Sequence, residues 1–508
     1  MAQCGKKDAE ISFQEPWGIH REFVALSGSA AQMKVAPMPA TAAPRRQNPY
    51  LQGSLVQLFL KSAAPIIAVM MVNGLLNIVD AIFLGHYVGA DALSAVTMAF
   101  PLFMLLIALS SLVGSGSASL IARALGADDV ERANSIFGSA QRLSLIISLV
   151  VLALYLLTRT SVLTLLSGGN EDLAAMASTY ITPIYLAAPM NFILALQYDT
   201  FRSEGKIGLM TMLSAGITLL NVGFNFVLIV VLGLGVLGSA LGTIAAQGVA
   251  FAIIVILRLR HFSDIRALPH APFPDWDRWR RILALGLPGS LNFLGVSLMA
   301  GIIVYSIQAF AGEEYALTVA AYGIIQRIMT FAFFPILGLS LAAQAIVGNN
   351  YGAGAYHRSN QALVVALGLA VGFAIVIEAV FILGAGLLAR MFVGDETVIA
   401  EVERILPIMV MLFVIFASNT ILAGYFQALG DAGRAALFGL SQVYLFTIPL
   451  TLILPRIIGE WGIWIASPIA QASMAVLVSV TLFLTWRKTG RPYGVFVKEG
   501  TPPPQPGM

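Results

Sequence analysis

The chain has 508 residues, 58% of them hydrophobic and 11% charged, with a net charge of +3. A soluble globular domain carries about 25% charged residues and cannot hide so much apolar surface, so the composition requires lipid as solvent. A single cysteine, Cys4, excludes an intramolecular disulfide and argues against a thiolate metal site.

Residues 1–54 read as a disordered cytoplasmic tail. They carry Lys6, Lys7, Arg21, Lys34, Arg45 and Arg46 but no long apolar core, so they are not a cleavable signal. Met33 and Met38 stand as alternative translation starts. A spanning helix needs about 20 mostly apolar residues. On that basis six spans fall near 55–83, 91–121, 135–157, 174–199, 208–232 and 236–257. The longest polar connection, 258–280, follows them. Six more spans fall near 281–310, 316–347, 361–389, 401–427, 433–454 and 460–485. The expected organisation is an N-terminal lobe at 55–257, a cytoplasmic linker at 258–280, a C-terminal lobe at 281–486 and a cytoplasmic tail at 487–508.

Basic residues set the expected topology. With a cytoplasmic N-terminus, the inside segments hold 22 of the 29 Lys and Arg residues and the outside loops hold four. The positive-inside rule then places both termini in the cytoplasm of a multi-pass cell-membrane protein.

The two halves repeat. Gly352, Ala353, Arg358 and Asn360 match Gly126, Ala127, Arg132 and Asn134 at one constant offset in numbering, 226. "FQALGD" at 426–431 follows "FRSEGK" at 201–206 by 225, and "GIWIASPIAQ" at 462–471 follows "GSALGTIAAQ" at 238–247 by 224. A six-helix unit repeated in one orientation implies lobes related by an axis along the membrane normal, with a cleft between them.

These motifs carry a family resemblance. "NIVDAIFLGHYVGADALSAVTMAFP" at 77–101, "GSGSASLIARALGA" at 114–127, "FRSEG" at 201–205, "NVGFN…GLGVLGSALGT" at 221–243 and "GLSLAAQAIVGNNYGAG" at 338–354 recur in order. The chain resembles the multidrug and toxic compound extrusion (MATE) family, in its bacterial branch, from about residue 55 to 485. The resemblance implies an all-α membrane fold of twelve helices in two pseudo-symmetric six-helix lobes around a V-shaped cleft. It also implies antiport of drugs against protons or sodium.

Asp80, in the first span, is the leading coupling candidate. A carboxylate in hydrocarbon costs about 3 kcal/mol, so it usually lines a cavity, and burial raises its pKa as a proton carrier requires. Its competing role is a packing hydrogen bond or a headgroup-level position. Asn221 and Asn225 lie one turn apart on the fifth span, with Thr243 on the sixth. The resemblance places these in a cation cluster with Asp80, but the second Asn position is often Asp in the family, so one carboxylate stands here instead of two. Interhelical hydrogen bonding is the alternative role, worth about 0.6–2 kcal/mol. Glu378 is the main acidic candidate of the second lobe, although its apolar neighbours also suit a protonated or snorkelling group. Arg327 is the other intramembrane charge, with substrate binding or helix-end bonding as its roles.

Met70, Met71, Met98, Tyr198, Met299, Tyr305 and Phe331 are candidates for a soft pocket for organic cations, with ordinary packing as the alternative. The sequence holds no HExxH, no GxxxxGK[ST] and no GxSxG motif, so an enzyme is not expected. Without an ATP site, active transport must be secondary. The expectation is an exporter of amphiphilic organic cations coupled to H+ or Na+, with no cofactor, no metal and no nucleic-acid partner, working as a monomer in contact with lipid. A lipid-linked precursor flippase, or another small-metabolite exporter of the same superfamily, is the alternative. It calls for a basic cavity, and the spans carry few basic residues.

Overall fold

The computed structural model describes residues 48–260, 262–266 and 275–498, apart from the side chains at 73, 75–82 and 90. Among these residues there is no strand. The N-terminal half holds α1 (Leu55–Phe83), α2 (Ala90–Gly126), α3 (Val130–Leu166), α4 (Glu171–Leu186), α5 (Ala188–Ser203), α6 (Ile207–Asn225) and α7 (Gly235–Leu259). The C-terminal half holds α8 (Trp276–Phe310), α9 (Tyr315–Gly352), α10 (Tyr356–Leu383), α11 (Ala385–Arg390), α12 (Glu396–Val410) and α13 (Phe413–Leu429). It ends with α14 (Ala432–Leu440), α15 (Ile448–Ile453), α16 (Pro455–Ile458) and α17 (Trp461–Thr489). Ten segments can cross a bilayer singly, and the bent pairs α4/α5 and α12/α13 bring the count among the described residues to twelve.

The duplication is written into the breaks. The α4/α5 pair bends by 55° and the α12/α13 pair by 47°. Pro183 and Pro407 sit just ahead of the two bends, within one residue of exact mates under the repeat. Proline removes a backbone donor and crowds the preceding turn, so it weakens the helix at both places. The packing also repeats. Helix α2 packs on α3, α4 and α5, and α9 packs likewise on α10, α12 and α13.

The lobes meet through α2 against α8, α1 against α9, and α2 against α9. The last contact carries a pseudo-two-fold axis. A Cβ on Gly126 would stand 2.0 Å from the Asn349 carbonyl oxygen, and one on Gly352 would stand 2.0 Å from that of Arg123. These positions exchange under the repeat offset, so the two helices cross symmetrically at their C-terminal ends. Equivalent residues of inverted repeats would lie on opposite sides of the membrane and could not meet this way. Glycine at both positions lets the backbones touch, as small residues do between membrane helices.

The end at which α1 begins, called the linker end below, differs from expectation in two places and also holds the C-terminal tail. The tail does not stay disordered to residue 54. Pro49–Leu51 form a 3-10 turn capped by the Asn48 side chain, which accepts from the Tyr50 amide at 3.0 Å. Tyr50 is buried and its hydroxyl donates to the Arg202 carbonyl at 2.6 Å. Burial pushes this phenol well above its usual range, so it remains a donor. Helix α8 starts before residue 281, because Asp275 caps it through the Arg278 amide at 3.3 Å and Trp279 donates to the Ser139 carbonyl at 3.2 Å. The C-terminal tail beyond α17 is docked: the Asn360 side chain donates to the Val497 carbonyl at 2.9 Å and accepts from its amide at 3.0 Å. Its repeat mate Asn134 holds the linker the same way, accepting from the Arg266 amide at 2.7 Å and donating to the Asp264 carbonyl at 3.3 Å. The other tail and linker residues lie outside the described residues.

Candidate functional site

Helix α6 presents Thr218, Asn221 and Asn225 on one face, all buried. The Asn221 side-chain amide donates to the Thr243 hydroxyl at 2.9 Å, and that hydroxyl donates to the Ser239 carbonyl at 3.1 Å. The Asn225 amide donates to the Asn221 oxygen at 3.4 Å. Gly242 on α7 leaves the room, since a Cβ there would stand 2.1 Å from the Asn225 side-chain oxygen. The sequence-predicted trio therefore forms one connected polar cluster inside the N-terminal lobe. Its side chains are neutral, so it can orient a cation or a carboxylate without adding charge.

Helix α1 packs along α6. Asp80 lies three residues before the end of α1, but its side chain lies outside the described residues. Two π-helical turns flank this region: Leu84–Val88 after α1 and Phe226–Val231 directly after Asn225, and they touch each other. Such turns interrupt the regular backbone ladder and recur at functional sites. No hydrophobic period reveals them.

Glu378 is elsewhere. Its carboxylate accepts from the Leu412 amide at 3.0 Å. Leu412 has φ +67°, a left-handed conformation that a non-glycine residue adopts at a cost, and it sits in the break between α12 and α13. The carboxylate satisfies a backbone donor that the break sets free, which explains an acid among apolar neighbours.

The candidate pocket residues do not gather. Met98 packs with Tyr180 and Phe192 in the outer part of the N-terminal lobe. Tyr198 and Met299 fringe the large core that runs through the C-terminal lobe. Met71 on α1 is half-buried, and Tyr305, Arg327 and Phe331 are exposed.

Sequence reasoning missed the seal at the linker end. Arg123 donates to the Leu429 carbonyl at 3.1 Å, and Asn349 donates to the Ser203 carbonyl at 3.2 Å. Arg123 and Asn349 exchange under the repeat offset, and the carbonyls they reach fall one residue apart under the 225 offset of that segment, so a similar bond closes each side of the axis. Arg202 adds bonds to the Leu341 carbonyl at 2.8 Å and to Gln344 at 2.9 Å, and it pairs with Asp199 at 2.6 Å. Asn48 reaches Asn349 at 2.7 Å, and Asn350 donates to the Tyr50 carbonyl at 3.1 Å. Beside the seal, Arg258 is buried between the Phe137 and Phe201 rings. It bonds Gln197, Glu204 at 3.3 Å, Ser263 at 2.8 Å and the Ile265 carbonyl at 2.9 Å. The repeated Gly126/Gly352 and Asn134/Asn360 motif was the available signal.

Twelve spans in two repeated bundles, a buried polar cluster in one lobe and a one-sided seal define a polytopic membrane transporter rather than an enzyme. The MatE family model matches residues 65–227 and 288–453, one match in each lobe, and the chain belongs to this multidrug efflux family. It is similar to a probable multidrug resistance protein, YoeA, of Bacillus subtilis, 23% identical over 426 residues, covering 81% of this chain and 90% of that protein. The multidrug export protein MepA of Staphylococcus aureus is 24% identical over 424 residues, covering 82% and 91%. Among solved structures, a MATE protein in complex with MaL6 aligns with a TM-score of 0.77 at 23% identity, covering 85% of this chain and 96% of that one. An outward-facing multidrug resistance MATE transporter of the MOP superfamily gives the same values.

Proposed function

We propose that this chain is a secondary active multidrug exporter that antiports amphiphilic organic cations against protons or sodium. Its two six-helix lobes rock between a state closed at the linker end and a state closed at the far end. The carrying observation is the one-sidedness of the lobe contact. Crossed hydrogen bonds and touching glycines close the linker end. Along α9, the residues facing α1 pass from buried Gly338 through half-buried Phe334 to exposed Phe331 toward the far end. Alternating access requires such a seal, made on one side at a time. The excess of basic residues puts the linker end in the cytoplasm, so this conformation faces outward.

In this reading Asp80 carries the driving ion. Protonated, a buried carboxylate tolerates a closed apolar site; ionised, it demands water or a cation. Asn221, Asn225 and Thr243 bond either form. The relatives named for multidrug export and resistance support the substrate breadth. The test is efflux of an organic cation from proteoliposomes, with pH and sodium gradients imposed separately. One gradient should drive accumulation against the dye gradient. Equal transport with and without both gradients would overturn antiport.

A further inference from the structure

The residues just ahead of α1 are bonded to both lobes at the linker end. On the C-terminal lobe, the Asn349 side-chain oxygen accepts from the Asn48 amide at 2.7 Å, and the Asn350 amide donates to the Tyr50 carbonyl at 3.1 Å. Arg358 donates to the Gln52 and Gly53 carbonyls at 3.0 and 2.9 Å. On the N-terminal lobe, the Tyr50 hydroxyl donates to the Arg202 carbonyl at 2.6 Å. Pro49 fits against Gly205, where a Cβ would stand 2.5 Å from the proline Cγ. Gly205 also has φ +81°, so the turn and the close approach both call for glycine. Asn48 and Tyr50 are buried, which keeps water from competing for their bonds.

Two features set this segment apart from the duplicated fold. Its receptor exists in one half only: Asn350 falls on Ala124 at the offset of 226, and a methyl group has no donor to offer. Asn350 is also fully buried, where an amide is costly unless it is bonded. Its amide donates to the Ile346 carbonyl one turn back at 2.8 Å, and the Tyr50 carbonyl is its partner outside α9. Tyr50 is thus held at both ends, by its carbonyl from the C-terminal lobe and by its hydroxyl from the N-terminal lobe. One residue of fixed length cannot follow two lobes that move apart, so opening this end must break one set of bonds.

We infer that residues 48–53 form a strap that clamps the linker end shut, with Tyr50 as its pin, and that the strap sets how often this end opens. It unhooks from one lobe in each cycle and closes again as the lobes return. The inference rests on the rocking-lobe reading of the exporter and adds to it a brake that the repeat does not supply.

The test reads lobe separation directly. Spin labels are placed on Glu131→Cys at the start of α3 and Gln361→Cys near the start of α10, both exposed, in the full-length chain with Cys4→Ser. Double electron–electron resonance on the protein in lipid nanodiscs gives the distance distribution. Three changes are compared: Tyr50→Phe, which keeps the ring and removes one bond; Asn350→Ala, which copies Ala124; and Asn48→Gly, Pro49→Gly and Tyr50→Gly together, which dissolve the strap. The long-distance population should rise about fivefold in each single variant and further in the triple variant. Adding Asn350→Ala to the triple variant should change it by less than about twofold, since Asn350 then has nothing to hold. No rise in the triple variant would overturn the strap, and Tyr50→Phe decides the matter if the triple variant does not fold. An equal rise from Asn350→Ala with and without the strap would overturn it as well. Dye efflux by the wild type in proteoliposomes, measured in parallel, tests the exporter reading separately: its absence would overturn that reading whatever the distances show.

Discussion

Adding one methyl group at the crossing of α2 and α9 should open the linker end. In Gly352→Ala the new Cβ would stand 2.0 Å from the Arg123 carbonyl oxygen and 2.7 Å from its carbon. Ordinary contact begins near 3.4 Å, so the helices must part by more than an ångström. Both obstructing atoms are backbone, and no rotamer relieves them. Overpacking of this kind costs about 1–3 kcal/mol. The cost falls only on the closed linker end, where Arg123 must also stay within reach of Leu429. A state with this end apart escapes it, so its population should rise about 5- to 150-fold. Gly126→Ala meets the Asn349 backbone at the same 2.0 Å and should act equally. The assay is labelling by a membrane-impermeant maleimide from the linker side, in a Cys4→Ser background with a cysteine replacing Ser203, which is 2% exposed. Labelling should speed up in both glycine variants. An unchanged rate in well-folded variants, or a rise in only one, would refute the symmetric seal.

Three further outcomes are expected. Asp80→Asn should abolish gradient-driven efflux in vesicles while leaving membrane insertion and yield intact, since the amide mimics the protonated acid. Glu378→Gln should retain transport, because its side-chain oxygen still accepts from the Leu412 amide, whereas Glu378→Leu should lose about 1–3 kcal/mol of stability, read as a lower melting temperature. Arg258→Met should destabilise, by about 3 kcal/mol at most, because it leaves the buried Glu204 carboxylate with Lys206 as its remaining ion-pair partner among the described residues; Arg258→Met with Glu204→Gln should recover much of that loss in the same melting assay.

The scaffold was legible because its signals are long and redundant. Twelve apolar stretches announce themselves by length, and the motif shared by Gly126 and Gly352 carries the parallel repeat by its spacing alone. The Asn221, Asn225 and Thr243 cluster was legible too, since helical spacing and family resemblance pointed to the same residues. Glu378 was not. Its partner is the amide of Leu412, far along the chain, and the left-handed turn there leaves no mark in a leucine. The pocket candidates were proposed by residue type, and type does not say which face of a helix a side chain occupies. Met98 and Met299 thus fell into separate cores. The order of residues 48–52 was hidden because it depends on Arg202 and Asn350, which only folding brings near.

The repeat also separates structure from chemistry. Positions that recur under the offset of 226 build the hinge: Gly126 with Gly352, Arg123 with Asn349, Asn134 with Asn360. At these positions each lobe must do the same thing to the other. The ionisable and amide groups proposed for transport do not recur. At offsets of 224 to 226, Asp80 falls on Val304, Tyr305 or Ser306, Asn221 on Leu445, Phe446 or Thr447, Asn225 on Pro449, Leu450 or Thr451, and Arg327 on Pro101, Leu102 or Phe103. A duplicated transporter with identical lobes would offer two equal sites. With the Asn221, Asn225 and Thr243 cluster inside the N-terminal lobe alone, the two lobes differ in chemistry across the pseudo-two-fold axis. The hinge can then stay symmetric while the site it opens and closes is not.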